Sequence, residues 1–174
     1  MNKIYYSERI VKTWVHDIIR AMNHDEFRPD YIVGLTRGGL VPAVMLSHYL
    51  GVPMHSLGVS LRDNDDNGPE SNCWMAEDAY GYTSPDEQEP KKILIVDDIN
   101  DSGATLNWIR TDWQNSCIPG DTERWNNIWG NTTRFAVMVN NEASDFKDVN
   151  YAGQSINKLE EPIWCVFPWE EWWR

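Results

Sequence analysis

Cysteine is scarce and poorly placed for chemistry: Cys73, Cys117 and Cys165 are the only three, and no two stand in CxxC spacing. An odd count without that spacing argues against a disulfide framework or a zinc site and fits a reducing compartment. Positive charge is scarce as well. Fifteen Lys and Arg face 27 Asp and Glu, for a formal charge of −12, which argues against a protein that holds nucleic acid through a general cationic field. No apolar run approaches the roughly 18 residues of a membrane span. The opening stretch MNKIYYSERI has no signal-peptide hydrophobic region, so the cytoplasm is the expected location. GxxxxGK(S/T), GxSxG and HExxH are all missing, which removes the P-loop, nucleophile-elbow and zinc-hydrolase readings. His16 and His48 fall in helical stretches and read as structural or surface residues.

What remains is the composition of one globular domain over residues 1–174, 41% hydrophobic and 24% charged. Ten tryptophans are unusual, yet Trp108, Trp113, Trp125 and Trp129 lie among acids, not cations, and read as core and surface anchors. Ser7 can cap a first helix whose Ile10, Val11, Trp14, Val15, Ile18, Ile19 and Met22 form a stripe at helical spacing. YIVGL (31–35) is a short strand, and LVPAVMLSHYL a helix with Pro42 in its first turn and Gly51 as its stop. In MHSLGVSL (54–61), Leu57, Val59 and Leu61 alternate onto one face of a strand. Residues 62–91 are acidic and turn-rich, a long loop of the kind that serves as a lid. KILIV (92–96) suits a central strand covered on both faces. ATLNWIRTDWQN is helical, 116–132 reads as a loop or small insertion, and RFAVMV (134–139) is the next strand. The alternation predicts an α/β fold with a mainly parallel central sheet flanked by helices, the tail 140–174 forming a small hood.

In such sheets ligands sit beyond the carboxyl ends of the strands, and two loops there are built for one. LTRGGL (35–40) has two glycines that let the backbone approach a ligand and an Arg37 fork for phosphate oxygens. In ILIVDDINDSGATL (93–106), Asp97 and Asp98 end a strand, Asp101 follows, and Ser102-Gly103-Ala104-Thr105 turns into a helix. Free N–H groups and hydroxyls at that turn suit a phosphate monoester. The paired acids suit sugar hydroxyls or a hydrated Mg²⁺.

Four apolar residues followed by DDINDSGAT closely resemble the signature of type I phosphoribosyltransferases, which bind 5-phosphoribosyl-1-pyrophosphate (PRPP). GLTRGGLVPAVMLSHYLGVP (34–53) looks like that family's pyrophosphate loop and following helix, especially in the xanthine-guanine and hypoxanthine members. WCVFPWE (164–170) is similar to their base-covering segment. The resemblance implies a Mg²⁺-dependent transfer of the phosphoribosyl group from PRPP to a purine base (guanine, xanthine or hypoxanthine), with release of pyrophosphate, for salvage. It implies that Asp97 and Asp98 hold the ribose hydroxyls, directly or through Mg²⁺, with Glu170 as a further candidate metal ligand. Asp101, Ser102, Gly103, Ala104 and Thr105 would form the 5′-phosphate loop, with Asp101 also the general base near N7. Arg37 and Gly38 would contact pyrophosphate, next to a non-proline cis peptide that the family often has. Trp164 would stack on the base and the Cys165 backbone would read its exocyclic edge. The 62–91 stretch matches the catalytic lid in position, and family habit implies a homodimer or homotetramer.

One departure affects the substrate. Relatives that take 6-oxopurines carry a Lys after the strand corresponding to RFAVMV, whereas this chain reads MVNNEASDFK and has Asn140 or Asn141 there. An Asn amide can donate to a carbonyl or accept from an amine, and Lys147 is a more distant substitute. Two alternatives therefore stand beside the purine enzyme: a phosphoribosyltransferase acting on a different acceptor, and a non-catalytic PRPP-binding regulator.

Overall fold

The computed structural model describes residues 1–59, 69, 71–81 and 88–174. The elements run β1 (Asn2–Tyr5), α1 (Glu8–His24), β2 (Tyr31–Thr36), α2 (Leu40–Leu50), β3 (Met54–Gly58), α3 (Cys73–Tyr80) and β4 (Ile93–Asn100). They continue with α4 (Ala104–Cys117), α5 (Thr122–Ile128), β5 (Thr133–Asn141), β6 (Tyr151–Ile156) and β7 (Ile163–Val166). Five strands form one sheet in the order β3-β2-β4-β5-β6, every pair parallel. The α/β expectation with a parallel central sheet therefore holds.

The all-apolar run of β4 explains why it is central. Leu94 and Val96 face one core with Val11, Trp14, Val15, Ile18, Ile19 and Met22 of α1 and Ala43 and Leu46 of α2. Ile93 and Ile95 face the other core, built with α3, α4 and α5. Alternate residues of a strand point to opposite faces, so a strand covered twice has no position left for a polar side chain. Ser7 caps α1 as expected, its Oγ accepting from the Ile10 N–H at 3.2 Å, and Gly51 closes α2 in the left-handed region. Leu57 and Val59 are both buried, while Leu61 lies outside the described residues. Among the described residues, no helix is long and apolar enough to cross a membrane.

Three expectations about local structure are corrected. The stretch expected as a loop over 62–91 contains α3, capped by Asn72 and stopped at Gly81, and its Met75, Ala76, Ala79 and Tyr80 enter the second core. The rest of that stretch lies largely outside the described residues. The supposed insertion 116–132 contains α5, capped by Asp121, which buries Trp125 and Ile128. The tail is not all hood: β6 adds to the main sheet, and only β7 leaves it to pair in parallel with the N-terminal β1. Trp113 and Trp125 are buried, and Trp129 stacks on Phe135 with ring centres 5.8 Å apart; the reading of these rings as core anchors stands.

Trp113 on α4 has no exposed surface and ties α4 to the sheet. Trp113→Ala should lower unfolding free energy in urea by about 3–5 kcal/mol; a loss below about 1 kcal/mol would contradict this packing.

Candidate active site

Strands β2 and β4 pair from Tyr31–Ile93 to Gly34–Val96 and then part. Beyond that point β2 continues only against β3, to Thr36–Gly58, and β4 only against β5, to Asn100–Asn140. The chain turns one way from β2 and the other way from β4, so this is a switch point, where α/β sheets bind ligands. A cleft of about 850 Å³ opens there, walled by residues 36–38, 97–105 and a C-terminal group including Trp164 and Glu170.

The loop after β2 folds back across the gap. The Thr36–Arg37 peptide is cis, and the Gly39 N–H donates to the Leu35 carbonyl at 2.9 Å. A Cβ on Gly38 would overlap the Asp98 carboxyl group, and one on Gly39 would overlap the Val96 carbonyl. Only bare backbone fits against the end of β4, which is the physical content of RGG in this chain.

The second wall is the turn from β4 into α4. Gly103 has φ +90° and a Cβ there would meet the Phe146 N–H, so this position needs glycine as well. The Ala104 N–H donates to Ser102 Oγ at 3.3 Å, and the Asp145 N–H donates to the Ser102 carbonyl at 2.9 Å. Behind the turn, buried Asn100 donates to Asn140 Oδ1 at 2.8 Å and to the Phe146 carbonyl at 3.0 Å, and accepts from Ser144 Oγ at 2.9 Å. A satisfied buried network of this kind fixes backbone position. Sequence reasoning missed Asn100 and Ser144, which carry no motif of their own.

Asp97, Asp98, Asp101, Ser102, Gly103, Ala104, Thr105, Arg37, Gly38, Trp164 and Glu170 all line this one cleft. Asn141 and Cys165 do not. Asn141 is buried, its Nδ2 donating to the Asp101 carbonyl at 2.9 Å and its Oδ1 accepting from the Ala143 and Lys158 N–H groups at 3.2 and 3.0 Å. Its amide holds backbone and does not face the cleft. Cys165 is buried in β7, where its thiol meets the Tyr6 hydroxyl at 3.6 Å, and burial pushes that thiol up. Lys147 lies against a different cavity, beside Arg110 and Trp129. Two contributions went unseen in the sequence: Lys158 pairs with Asp101 at 2.8 Å, and Trp172 and Trp173, both exposed, stand at the cleft mouth.

The phosphoribosyl transferase domain family matches residues 2–110, more than half of the chain. The chain belongs to this family. It is similar to the hypoxanthine-guanine phosphoribosyltransferase of Schizosaccharomyces pombe, 24% identical over 167 residues that cover 84% of this chain and 79% of the relative. It is 36% identical to the xanthine-guanine phosphoribosyltransferase of Cereibacter sphaeroides over 84 residues, 46% of this chain and 45% of that one. Among solved structures it resembles the purine phosphoribosyltransferase of Pyrococcus horikoshii, with a TM-score of 0.63, 25% identity, and coverage of 98% and 95%. As a phosphoribosyltransferase the chain is a PRPP-dependent enzyme.

Asp98 is the electrostatic outlier of the site. Burial, reinforced by the Glu170 carboxylate and opposed by the Asp97 side chain and the Ile99 N–H, pushes it up to about 6. Mg²⁺ takes one or two protein carboxylates and completes its shell with substrate oxygens and water. Asp97, Asp98 and Glu170 offer such oxygens, and a cation there would relieve the cost of ionising Asp98. Among the described residues no group of three His, Cys, Asp or Glu is placed to hold a metal ion by itself.

A carboxyl whose value is raised on folding favours the folded state while protonated. That contribution is lost as pH rises from about 4, the ordinary aspartate value, through about 6. Asp98→Asn should therefore raise the melting temperature by several degrees at pH 8 and leave it nearly unchanged at pH 3. Equal shifts at both pH values would contradict the raised value.

Proposed function

We propose that this phosphoribosyltransferase transfers the phosphoribosyl group of PRPP to a purine base, releasing pyrophosphate, as a salvage reaction. The observation that carries the reading is the convergence of the glycine loop, three aspartates and an exposed tryptophan on one cleft at the parting of β2 and β4.

In this reading Asp97 and Asp98 hold the ribose hydroxyls, and the 101–105 turn takes the 5′-phosphate on its N–H groups and hydroxyls. Arg37 and the Gly38 backbone take the pyrophosphate. Trp164, 44% exposed in a strand anchored by its pairing with β1, offers a face for the base. Asp97, Asp98 and Glu170 would hold Mg²⁺, which when bound neutralises charge developing on the leaving pyrophosphate. A ring nitrogen of the base forms the new bond to C1 as the C1–O bond to pyrophosphate breaks, and the sugar passes through oxocarbenium character, as in glycoside chemistry. Asp101, 2.8 Å from the Lys158 ammonium, receives the proton that the purine imidazole sheds. Holding the reactants in line supplies up to roughly 7–11 kcal/mol of the barrier reduction.

Pyrophosphate release from PRPP and Mg²⁺ should occur with guanine, xanthine or hypoxanthine. Asp101→Asn should lower kcat by about 10²-fold or more while PRPP binding persists, and Trp164→Ala should raise the KM of the base. Silence across all bases by a chain that binds PRPP would contradict the transferase reaction with purines.

A further inference from the structure

Apart from the active-site cleft the chain forms a second cavity, of about 590 Å³, and the two share no lining residue. Its walls come from α4, α5 and residues 147–150 of the β5–β6 connection. They supply two cations, Arg110 and Lys147, one carboxylate, Asp148, and the amides of Gln114, Asn126 and Asn150. In a chain of formal charge −12, a lining with more cations than acids runs against the general balance. A cavity of this size can hold a small metabolite.

Arg110 is held in place by aromatic rings. Its guanidinium carbon lies 5.2 Å from the centre of the Trp129 ring and 4.7 Å from that of Phe146. It pairs with Asp148 at 2.8 Å, but the Asp148 side chain is 61% exposed, against 27% for Arg110. An ion pair with so exposed a partner contributes little and gives way to a better anion. Arg110 Nε is buried and has no partner among the described residues, so Asp148 satisfies only part of the fork. Guanidinium forks bind carboxylate and phosphate oxygens two at a time.

Two cations facing one space match a dianion better than a monoanion. A phosphate monoester carries about −1.5 to −2 near neutral pH and three acceptor oxygens. The three amides around the same space suit the hydroxyls or ring edges of whatever the phosphate is attached to. Asn150 accepts from the Phe135 N–H at 2.8 Å, and its amide nitrogen lies beside Gly130 of the cavity wall.

Two of these walls lead to the active site. Arg110 stands on α4, which begins at Ala104 within the 101–105 turn. Residues just before Lys147 buttress the same turn: the Asp145 N–H donates to the Ser102 carbonyl, and the Phe146 carbonyl accepts from Asn100. An anion shared by Arg110 and Lys147 would tie helix and connection together more firmly than the exposed Asp148 pair does.

We propose that the second cavity is an effector site for a phosphate monoester with a hydroxylated body, a sugar phosphate or a nucleoside monophosphate, whose binding tightens the hold on PRPP. Linkage makes the effect reciprocal, so PRPP raises the affinity for the effector by the same factor. PRPP itself suits this cavity poorly. Once Arg110 and Lys147 hold one phosphate, the lining has no cation left for a pyrophosphate and sets Asp148 beside it. The site does not depend on which base accepts the phosphoribosyl group.

The test is calorimetric titration of glucose 6-phosphate, guanosine 5′-monophosphate and inorganic phosphate into the chain with its cleft filled by saturating PRPP and Mg²⁺. The titrations are repeated on Arg110→Met and on Lys147→Glu, a change at an exposed position that leaves folding intact. At least one ester should bind at one site per chain with a submillimolar Kd, and inorganic phosphate at least tenfold more weakly; the tighter ester names the source. Either substitution should weaken that binding at least tenfold, and the bound ester should lower the Kd of PRPP threefold or more. Absence of binding by both esters to the unaltered chain would overturn the inference, whatever the variants do. Binding that survives Lys147→Glu at full strength, or that leaves PRPP affinity unchanged, would overturn it as well. Equal affinity for inorganic phosphate would overturn the assignment of the amides to a hydroxylated body. A chain that fails to bind PRPP would instead overturn the reading of the active-site cleft, and the coupling with it, while ester titration alone still judges the second cavity.

Discussion

Everything at this site depends on how far β2 and β4 stay together. Their hydrogen-bonded ladder ends at Gly34–Val96, and from there each strand follows a different neighbour. The gap left between them would expose backbone unless something crossed it. The loop at 36–39 does so, and it fits only because Gly38 and Gly39 carry no side chain against Asp98 and Val96. The floor of the cleft and the position of two of its acids are therefore one packing solution. Substituting either glycine changes both at once.

The acids are costly to keep where they are. Asp98 is surrounded by the end of a buried strand and shares its space with Glu170, so ionising it in the folded chain is unfavourable. Sites that tolerate such a cost usually recover it when ligand binds. The opposite strategy holds at Asp101, which has an ammonium at 2.8 Å. One carboxylate is left wanting a cation and the other already has one. These states suit, respectively, metal and ribose binding and proton transfer next to a base.

Much of this was readable from residue order. ILIV followed by two aspartates announced a doubly covered strand ending at a site, and the stripe of α1 and the Pro42-to-Gly51 helix could be placed by period and caps alone. Other parts could not be placed. β1 is four residues long with every residue exposed, so it shows no buried–exposed alternation, and its existence depends on β7 from the far end of the chain. The helix α3 was hidden by acidic surroundings, although its Asn72 cap and the spacing of Met75, Ala76, Ala79 and Tyr80 were present. Lys158 was invisible for a different reason. Its meeting with Asp101 depends on β6 joining the sheet in parallel beside β5, a long-range pairing that no local pattern encodes. Asn141 was read as a base contact because it occupies the place of a lysine in relatives. Its burial among backbone groups makes it a clamp between the Asp101 and Lys158 segments.

The most direct test of the account is calorimetric titration of PRPP with Mg²⁺ into the unaltered chain and into Gly38→Ala. One site per chain is expected, with affinity reduced at least tenfold when a methyl group is set against Asp98. Absence of binding to the unaltered chain, or equal affinity in the two proteins, would contradict the claim that the parting of β2 and β4 forms the phosphoribosyl site.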